Sequence, residues 1–280
     1  MKQIELKALA KINLGLDVLG RRENGYHDVR MVMQSIYLYD EVKLEKTAEP
    51  GITTVSNLSF LPTGDGNIAY KAARLLQEEF QITEGIKITL NKHIPVAAGL
   101  AGGSSNAAAV LFGMNRMFRL GLSQKDLMDR GVRLGADVPY CIMRGTVLAE
   151  GIGEKLSVLP AMPKCTVLIA KPPVSVSTKV VYEALDAKEI TEHPDIDGII
   201  EGLKNNSLKQ VAACMGNVLE DVTVPMHPVI DQIKQEMKSA GALNAMMSGS
   251  GPTVFGLFES RADAREAQRR IREKSLTRQV

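Results

Sequence analysis

One segment constrains this chain more than any other: Pro95-Val96-Ala97-Ala98-Gly99-Leu100-Ala101-Gly102-Gly103-Ser104-Ser105-Asn106-Ala107-Ala108-Ala109. Its glycines let the backbone turn tightly and approach a ligand closely. The small residues behind them predict a helix, whose first amide N–H groups have no partner inside the helix. With the helix dipole, those amides form a site for phosphate. The Ser104 and Ser105 hydroxyls can add ligands for phosphate oxygens or for magnesium. The plainer alternative is a loop entering a closely packed alanine-rich helix, and the paired serines at the helix start favour the phosphate site over it. The segment is not a Walker A loop, since no Gly-Lys-Ser/Thr occurs in the chain. Its third glycine is misplaced for a dinucleotide fingerprint, and protein-kinase signatures are absent.

Composition narrows the partners of such a site. The chain has 280 residues, 45% of them hydrophobic and 24% charged, which predicts a folded protein of about two domains. Net charge is +2, from 34 basic and 32 acidic residues, so no global field favours nucleic acid or an anionic membrane. No Trp and only 4% aromatic residues leave little to stack on single strands. Cys141, Cys165 and Cys214 are odd in number and widely spaced, as expected of reduced thiols in the cytoplasm. Glu5, Lys7 and Lys11 interrupt any apolar core at the N-terminus, so no signal peptide is readable. Neither Cys-x-x-Cys nor His-Glu-x-x-His occurs, so no metal-ligating set of side chains is expected. A small molecule is the expected partner.

Along the chain, Ile12, Leu14, Leu16 and Val18 alternate with Lys11, Asn13, Gly15 and Asp17, the period of a strand with one polar face directed away from the core. Asn24-Gly25 is a hairpin turn signal, and strand chemistry resumes from Val29 to Leu44. Asn67 is a helix N-cap for Ile68 to Phe80. A strand at Ile86 to Leu90 leads to the glycine-rich segment, and Ala107 to Phe118 reads as a helix. A hairpin is expected over Thr146 to Leu159. Pro160 and Pro163 mark a boundary that divides the chain into domains 1–160 and 161–280. Beyond it come a strand at Thr166 to Ala170, a helix capped by Ser177, helices near Asn206 to Ala213 and Val229 to Ala240, and a strand at Thr253 to Phe258. Ala264, Ala267 and Ile271 give the charged segment Arg261 to Lys274 one apolar stripe, that of a solvated surface helix.

Two further groups could carry chemistry. Asp137, in Gly135-Ala136-Asp137-Val138-Pro139, reads in isolation as a cap or turn residue. The alternative is a catalytic carboxylate that accepts a proton from an attacking hydroxyl, with Lys11 holding charge beside it. Ser248-Gly249-Ser250-Gly251-Pro252-Thr253 is either an anion-accepting nest or a tight turn before a strand.

Taken together, Ala8 through Leu14, Gly25-Tyr26-His27, Pro95 through Ala108, Gly135 through Pro139 and Ser248 through Thr253 resemble, in this order and spacing, the GHMP kinases. That superfamily includes galactokinase, homoserine kinase, mevalonate kinase and phosphomevalonate kinase. The early Lys-Ile-Asn with Gly-Tyr-His narrows the resemblance to members whose acceptor is an erythritol bearing cytidine diphosphate. The resemblance implies an α+β, two-domain GHMP kinase fold. Its N-terminal domain would be like the second domain of ribosomal protein S5, and its C-terminal domain ferredoxin-like. It implies ATP with Mg²⁺ as donor, a monomer or homodimer, and no nucleic acid or membrane partner. By position it makes Lys11 and Asp137 catalytic and assigns Pro95 through Ser105, with Asn67 and Lys92, to ATP. Asn13, Tyr26, His27, Tyr182, Gly249 and Ser250 fall to the acceptor. Ala101 departs from the glycine common at its position in the family; with negative φ an alanine keeps the loop close to phosphate.

Overall fold

The computed structural model describes residues 1–188 and 190–280. The elements run β1 (Gln3–Arg21), β2 (His27–Thr47), β3 (Ile52–Ser56), α1 (Ile68–Glu79), β4 (Gly85–Asn91), α2 (Gly102–Phe118), α3 (Gln124–Val132), α4 (Val138–Met143), β5 (Thr146–Gly151) and β6 (Lys155–Val158). They continue with β7 (Thr166–Ala170), α5 (Thr178–Leu185), α6 (Ile196–Lys204), α7 (Leu208–Cys214), β8 (Gly216–Asn217), α8 (Glu220–Met226), α9 (Val229–Ser239), β9 (Asn244–Met247), β10 (Val254–Phe258) and α10 (Arg261–Glu273). Contacts group these into two compact units that interleave along the chain. One comprises 1–11, 35–96 and 101–144, the other 12–34, 97–100 and 145–280.

In the first unit β2 pairs antiparallel with β4, from Glu41 opposite Asn91 to Thr47 opposite Gly85, and β3 runs parallel to β4. Helix α2 lies on this sheet so closely that a Cβ on Gly113 would come within 2.5 Å of Leu44 Cδ1 and 2.9 Å of Leu6 Cδ1. Helices α1 and α4 pack against α2. Ser123 and Asp126 form a reciprocal capping box that starts α3, a Ser-x-x-Asp signal that reading the apolar periodicity alone passes over.

In the second unit β5 pairs antiparallel with the first part of β2, and β6 pairs with β5 to complete the expected hairpin. Asn24-Gly25 turns as expected, with Gly25 at φ +83° and Arg22 N–H donating to the Tyr26 carbonyl. A second sheet, β7-β10-β9, is antiparallel throughout and carries α9 and α10. Its core gathers Ala170, Met247, Val254 and Phe258 with Ile230, Ile233 and Met237 of α9 and Ala264, Ala267 and Ile271 of α10. The polar side of α10 is laced by Arg269 and Arg270, which hold the Glu266 carboxyl down to about 2. Among the described residues no helix is long and apolar enough to cross a membrane.

Two expectations are corrected here. The polar face of β1 does not point away from the core: residues 10–18 are all buried, Lys11, Asn13 and Asp17 included. The reason is visible at Gly15, on the same face, where an added Cβ would stand 2.5 Å from Ile196 Cδ1 and 2.7 Å from Ile199 Cδ1. Helix α6, started by Asp195 accepting from Gly198 N–H, packs on that face at Gly15. The second correction concerns α2, which begins at Gly102 and not at Ala107, so the last glycines and both serines form its first turn. Ser177 stands at the N-cap of α5 but accepts no capping bond.

Gly15 is therefore a notch for α6. Gly15→Val should lower stability by about 1–3 kcal/mol through overpacking, read as a lower urea midpoint at unchanged m-value. An unchanged midpoint would show that α6 does not need the notch.

Candidate active site

Three helix starts converge in the first unit. A Cβ on Gly103, in the first turn of α2, would meet Ile68 Cγ2 of α1 at 3.6 Å. One on Gly135, two residues before Asp137, would lie 3.6 Å from Ile68 Cδ1 and 4.0 Å from Ser104 Oγ. Asn67 caps α1 by accepting from Ala69 N–H at 2.9 Å, and its Nδ2 donates to the Pro62 carbonyl at 2.8 Å. The amides that open α1 and α2 thus sit beside the turn that carries Asp137.

Asp137 occupies the N-cap position of α4, yet its side chain makes no capping hydrogen bond. Instead its Oδ2 lies 4.0 Å from Lys11 Nζ, with the lysine side chain 6% exposed and the aspartate 37%. The cap reading therefore fails for the side chain, and the pairing with Lys11 is realised. Burial pushes the Tyr140 hydroxyl and the Cys141 thiol well up, and the Asp137 charge adds to it at Cys141. Neither neighbour ionises near neutrality.

The two serines part company. Ser104 is partly exposed, whereas Ser105 is buried, its Oγ donating to the Leu9 carbonyl at 2.7 Å and its N–H to the Ala101 carbonyl at 2.9 Å. Ser105 thus fastens the start of α2 to the strand that carries Lys11, its hydroxyl proton committed to that bond. Lys92 is also turned inward, its ammonium paired with Asp40 and donating to Asn106 Oδ1 at 2.8 Å. Pro95 is partly buried, Ala98 and Leu100 are buried, and Val96, Ala97 and Gly103 are exposed. Left-handed residues recur at every second position, Ala97 at φ +50°, Gly99 at +72° and Ala101 at +55°. The negative φ expected of Ala101 is not adopted; each such alanine costs roughly 1–2 kcal/mol that the packing around it must offset.

The second unit holds the remaining candidates. Ser248 Oγ donates to the Gly99 carbonyl at 3.0 Å. Gly249, at φ +59°, accepts through its carbonyl from Asn217 Nδ2 at 2.8 Å, and the same amide reaches the Met247 carbonyl at 2.9 Å. Ser250 Oγ pairs with Thr178 Oγ1 at 2.8 Å. Asn13 is buried with its Nδ2 3.5 Å from Met31 Sδ. The Tyr182 ring lies 4.7 Å from the His27 ring, tilted by 36°, and Tyr182 is partly buried against the core. His27 Nε2 is 2.6 Å from Asp186 Oδ1, whose other oxygen is 3.3 Å from Arg21. Tyr26 is exposed. Asp186, at the C-cap of α5, escaped the sequence reading.

Residues 67–145 match the GHMP kinases N terminal domain, and residues 199–275 match GHMP kinases C terminal. The chain belongs to the GHMP kinase family, and is a kinase that uses ATP to phosphorylate an alcohol on a small molecule. It is 59% identical over 280 residues, 100% of this chain and 97% of the relative, to 4-diphosphocytidyl-2-C-methyl-D-erythritol kinase of Lachnospira eligens. It is 57% identical over 267 residues, 95% of this chain and 92% of the relative, to the protein of the same name from Lachnoclostridium phytofermentans. The crystal structure of a 4-(cytidine 5'-diphospho)-2C-methyl-D-erythritol kinase superposes with TM-score 0.82 at 31% identity, over 96% of both chains. Homoserine kinase from Cytophaga hutchinsonii, at 22% identity and TM-score 0.77 over 98% of this chain and 90% of that one, shares the fold.

The Gly99 position yields a direct test of the loop. A Cβ there would strike the Ser248 carbonyl and would have to sit at positive φ. Gly99→Ala should cost about 1–3 kcal/mol in unfolding free energy and expose the loop to limited proteolysis. A variant with wild-type stability and the wild-type digestion pattern would show that this contact does not shape the loop.

Proposed function

We propose that this kinase transfers the γ-phosphoryl group of ATP to the 2-hydroxyl of 4-diphosphocytidyl-2-C-methyl-D-erythritol, in the cytoplasm, as monomer or homodimer, on the non-mevalonate route to isoprenoids. Its family domains run 1–160 and 161–280 in this reading. The observation that carries the proposal is the Lys11–Asp137 pair at the convergence of helix starts, with Asp137 at an N-cap it does not cap. Relatives of that name, matching 95–100% of the chain, support the choice of substrate.

Phosphoryl transfer asks the protein mainly for alignment and charge neutralisation. The loop 95–104 holds the ATP phosphates with its amides, while Ser105 supports the loop from behind; Asn67 and Lys92 border the nucleotide. The acceptor hydroxyl approaches the γ-phosphorus, its proton passes to Asp137, the new O–P bond forms and the bond to the departing ADP oxygen breaks. Lys11, buried beside Asp137, offsets negative charge gathering at the acceptor oxygen. An Mg²⁺ bound to the phosphates of ATP needs few protein ligands and prefers oxygen, and the partly exposed Ser104 hydroxyl suits it; it neutralises phosphate charge when bound. Asn13, Gly249 and Ser250 contact the acceptor. Tyr26, His27 and Tyr182 hold its cytosine.

Removing a general base typically costs about 10²–10⁴ in rate. Asp137→Asn should therefore slow single-turnover transfer by that factor while calorimetry still detects a nonhydrolysable ATP analogue at wild-type affinity. Transfer at a near wild-type rate would return Asp137 to a turn residue. Acceptor choice is read by coupled ADP release with the cytidine-bearing acceptor, homoserine and mevalonate, of which only the first should turn over well. Tyr26→Ala and Tyr182→Ala should each lower kcat/KM for that acceptor by about 5- to 150-fold, the value of one stacked base. On a truncated acceptor lacking cytidine both should act far less; equal losses on the two acceptors would mean that the tyrosines only support the fold.

A further inference from the structure

Asp40, on β2, belongs to no motif and has no exposed surface. Its carboxylate receives four hydrogen bonds. Oδ1 accepts from the backbone N–H of His93 at 2.7 Å and of Ile94 at 2.8 Å. Oδ2 accepts from Asn106 Nδ2 at 2.9 Å and from the Lys92 ammonium. His93 and Ile94 are the two residues before Pro95, where the glycine-rich loop begins. Asn106 follows Ser105, where the loop has become helix. One carboxylate therefore holds both ends of the loop.

Lys92 completes the arrangement. Its ammonium also donates to Asn106 Oδ1, and its backbone is clamped by Asn57, which accepts from Lys92 N–H at 2.8 Å and donates to its carbonyl at 3.1 Å. A Cβ on Gly102 would lie 3.3 Å from Lys92 Nζ, so the ammonium sits directly against the first residue of α2. A cation is unwelcome at the positive end of a helix, and a carboxylate is unwelcome in a dry interior. Each is tolerated here because of the other. Burying such a pair contributes little to stability over an apolar replacement, so its value lies in fixing geometry.

We propose that Asp40 is a positioning residue for the nucleotide: by tying His93-Ile94 to Asn106 it sets the span of the phosphate loop, and Lys92 supplies the charge that lets the carboxylate be buried there. The inference rests on the loop's role as the phosphate holder, and misplacement by about 1 Å is enough to cost a large factor in such a site.

The test varies ATP at saturating 4-diphosphocytidyl-2-C-methyl-D-erythritol, and then that acceptor at saturating ATP. Asn106→Ala keeps the Asp40–Lys92 pair and both backbone bonds and cuts the two bonds to α2, Asn106 Nδ2 to Asp40 and Lys92 Nζ to Asn106 Oδ1. It should raise KM for ATP at least about tenfold, the value of one of these bonds to a charged group, and leave KM for the acceptor within about twofold. Asp40→Asn should move KM for ATP in the same direction by more, with a lower melting temperature; should it not fold, Asn106→Ala carries the test alone. An unchanged KM for ATP in Asn106→Ala, or equal rises in both KM values, overturns the proposal. Gly103→Ala separates this from the loop assignment, because its added methyl meets only Ile68 at 3.6 Å. If Gly103→Ala weakens ATP binding and Asn106→Ala does not, the loop holds phosphate but Asp40 does not position it. If neither variant affects ATP, both readings fall.

Discussion

A strand that carries Lys11, Asn13 and Asp17 along one face can be buried only if each of those groups is matched by a partner, and much of the site's layout follows from that condition. Lys11 is matched by Asp137, and Asp17 by His193, whose Nδ1 lies 2.8 Å from Asp17 Oδ1. The match at Lys11 is what draws the start of α4 to β1, and the Ser105–Leu9 bond brings the start of α2 to the same strand two residues away. Polar satisfaction in the interior thus gathers, in the first unit, Lys11, Asp137 and the start of α2.

The charge pattern around α2 follows the same logic. The free amides of its first turn favour anions, and two lysines, Lys11 and Lys92, are buried in the same unit. Each is tempered by one carboxylate, Asp137 in the first case and Asp40 in the second. Asp40 is wholly enclosed and saturated with donors, suited to holding shape. Asp137 is partly exposed and lacks a capping bond. Two carboxylates of one chemical type thus differ in burial and in how fully their oxygens are bonded.

Much of this was legible in the sequence and some was not, for identifiable reasons. The hairpin at Asn24-Gly25, the cap at Asn67, strand β7 and the buried stripe of α10 follow from short-range chemistry, and the structure has them where the residues put them. The glycine-rich segment declared its helix but not its start, because propensity begins at the alanines whereas the helix begins at Gly102, where packing permits it. The burial of the polar face of β1 was illegible: an alternating strand specifies two faces, and what packs on the second, such as α6 against Gly15 some 180 residues later in the chain, leaves no mark in the strand itself. Asp40 and Asp186 were illegible for a related reason. A carboxylate that serves backbone amides or another side chain far along the chain leaves no local pattern, while Lys11 and Asp137 could be paired because both lie in recognisable segments.

The left-handed alanines of the loop carry one more consequence. An L residue favours negative φ, so Ala97 and Ala101 keep their left-handed angles only while the packing around them over-determines the backbone, whereas glycine would rest there at little cost. Each alanine therefore gives the segment a standing bias to leave this shape, opposed by its contacts. Loosening those contacts releases backbone strain as well, and a glycine at 97 or 101 would make the same shape easier to keep.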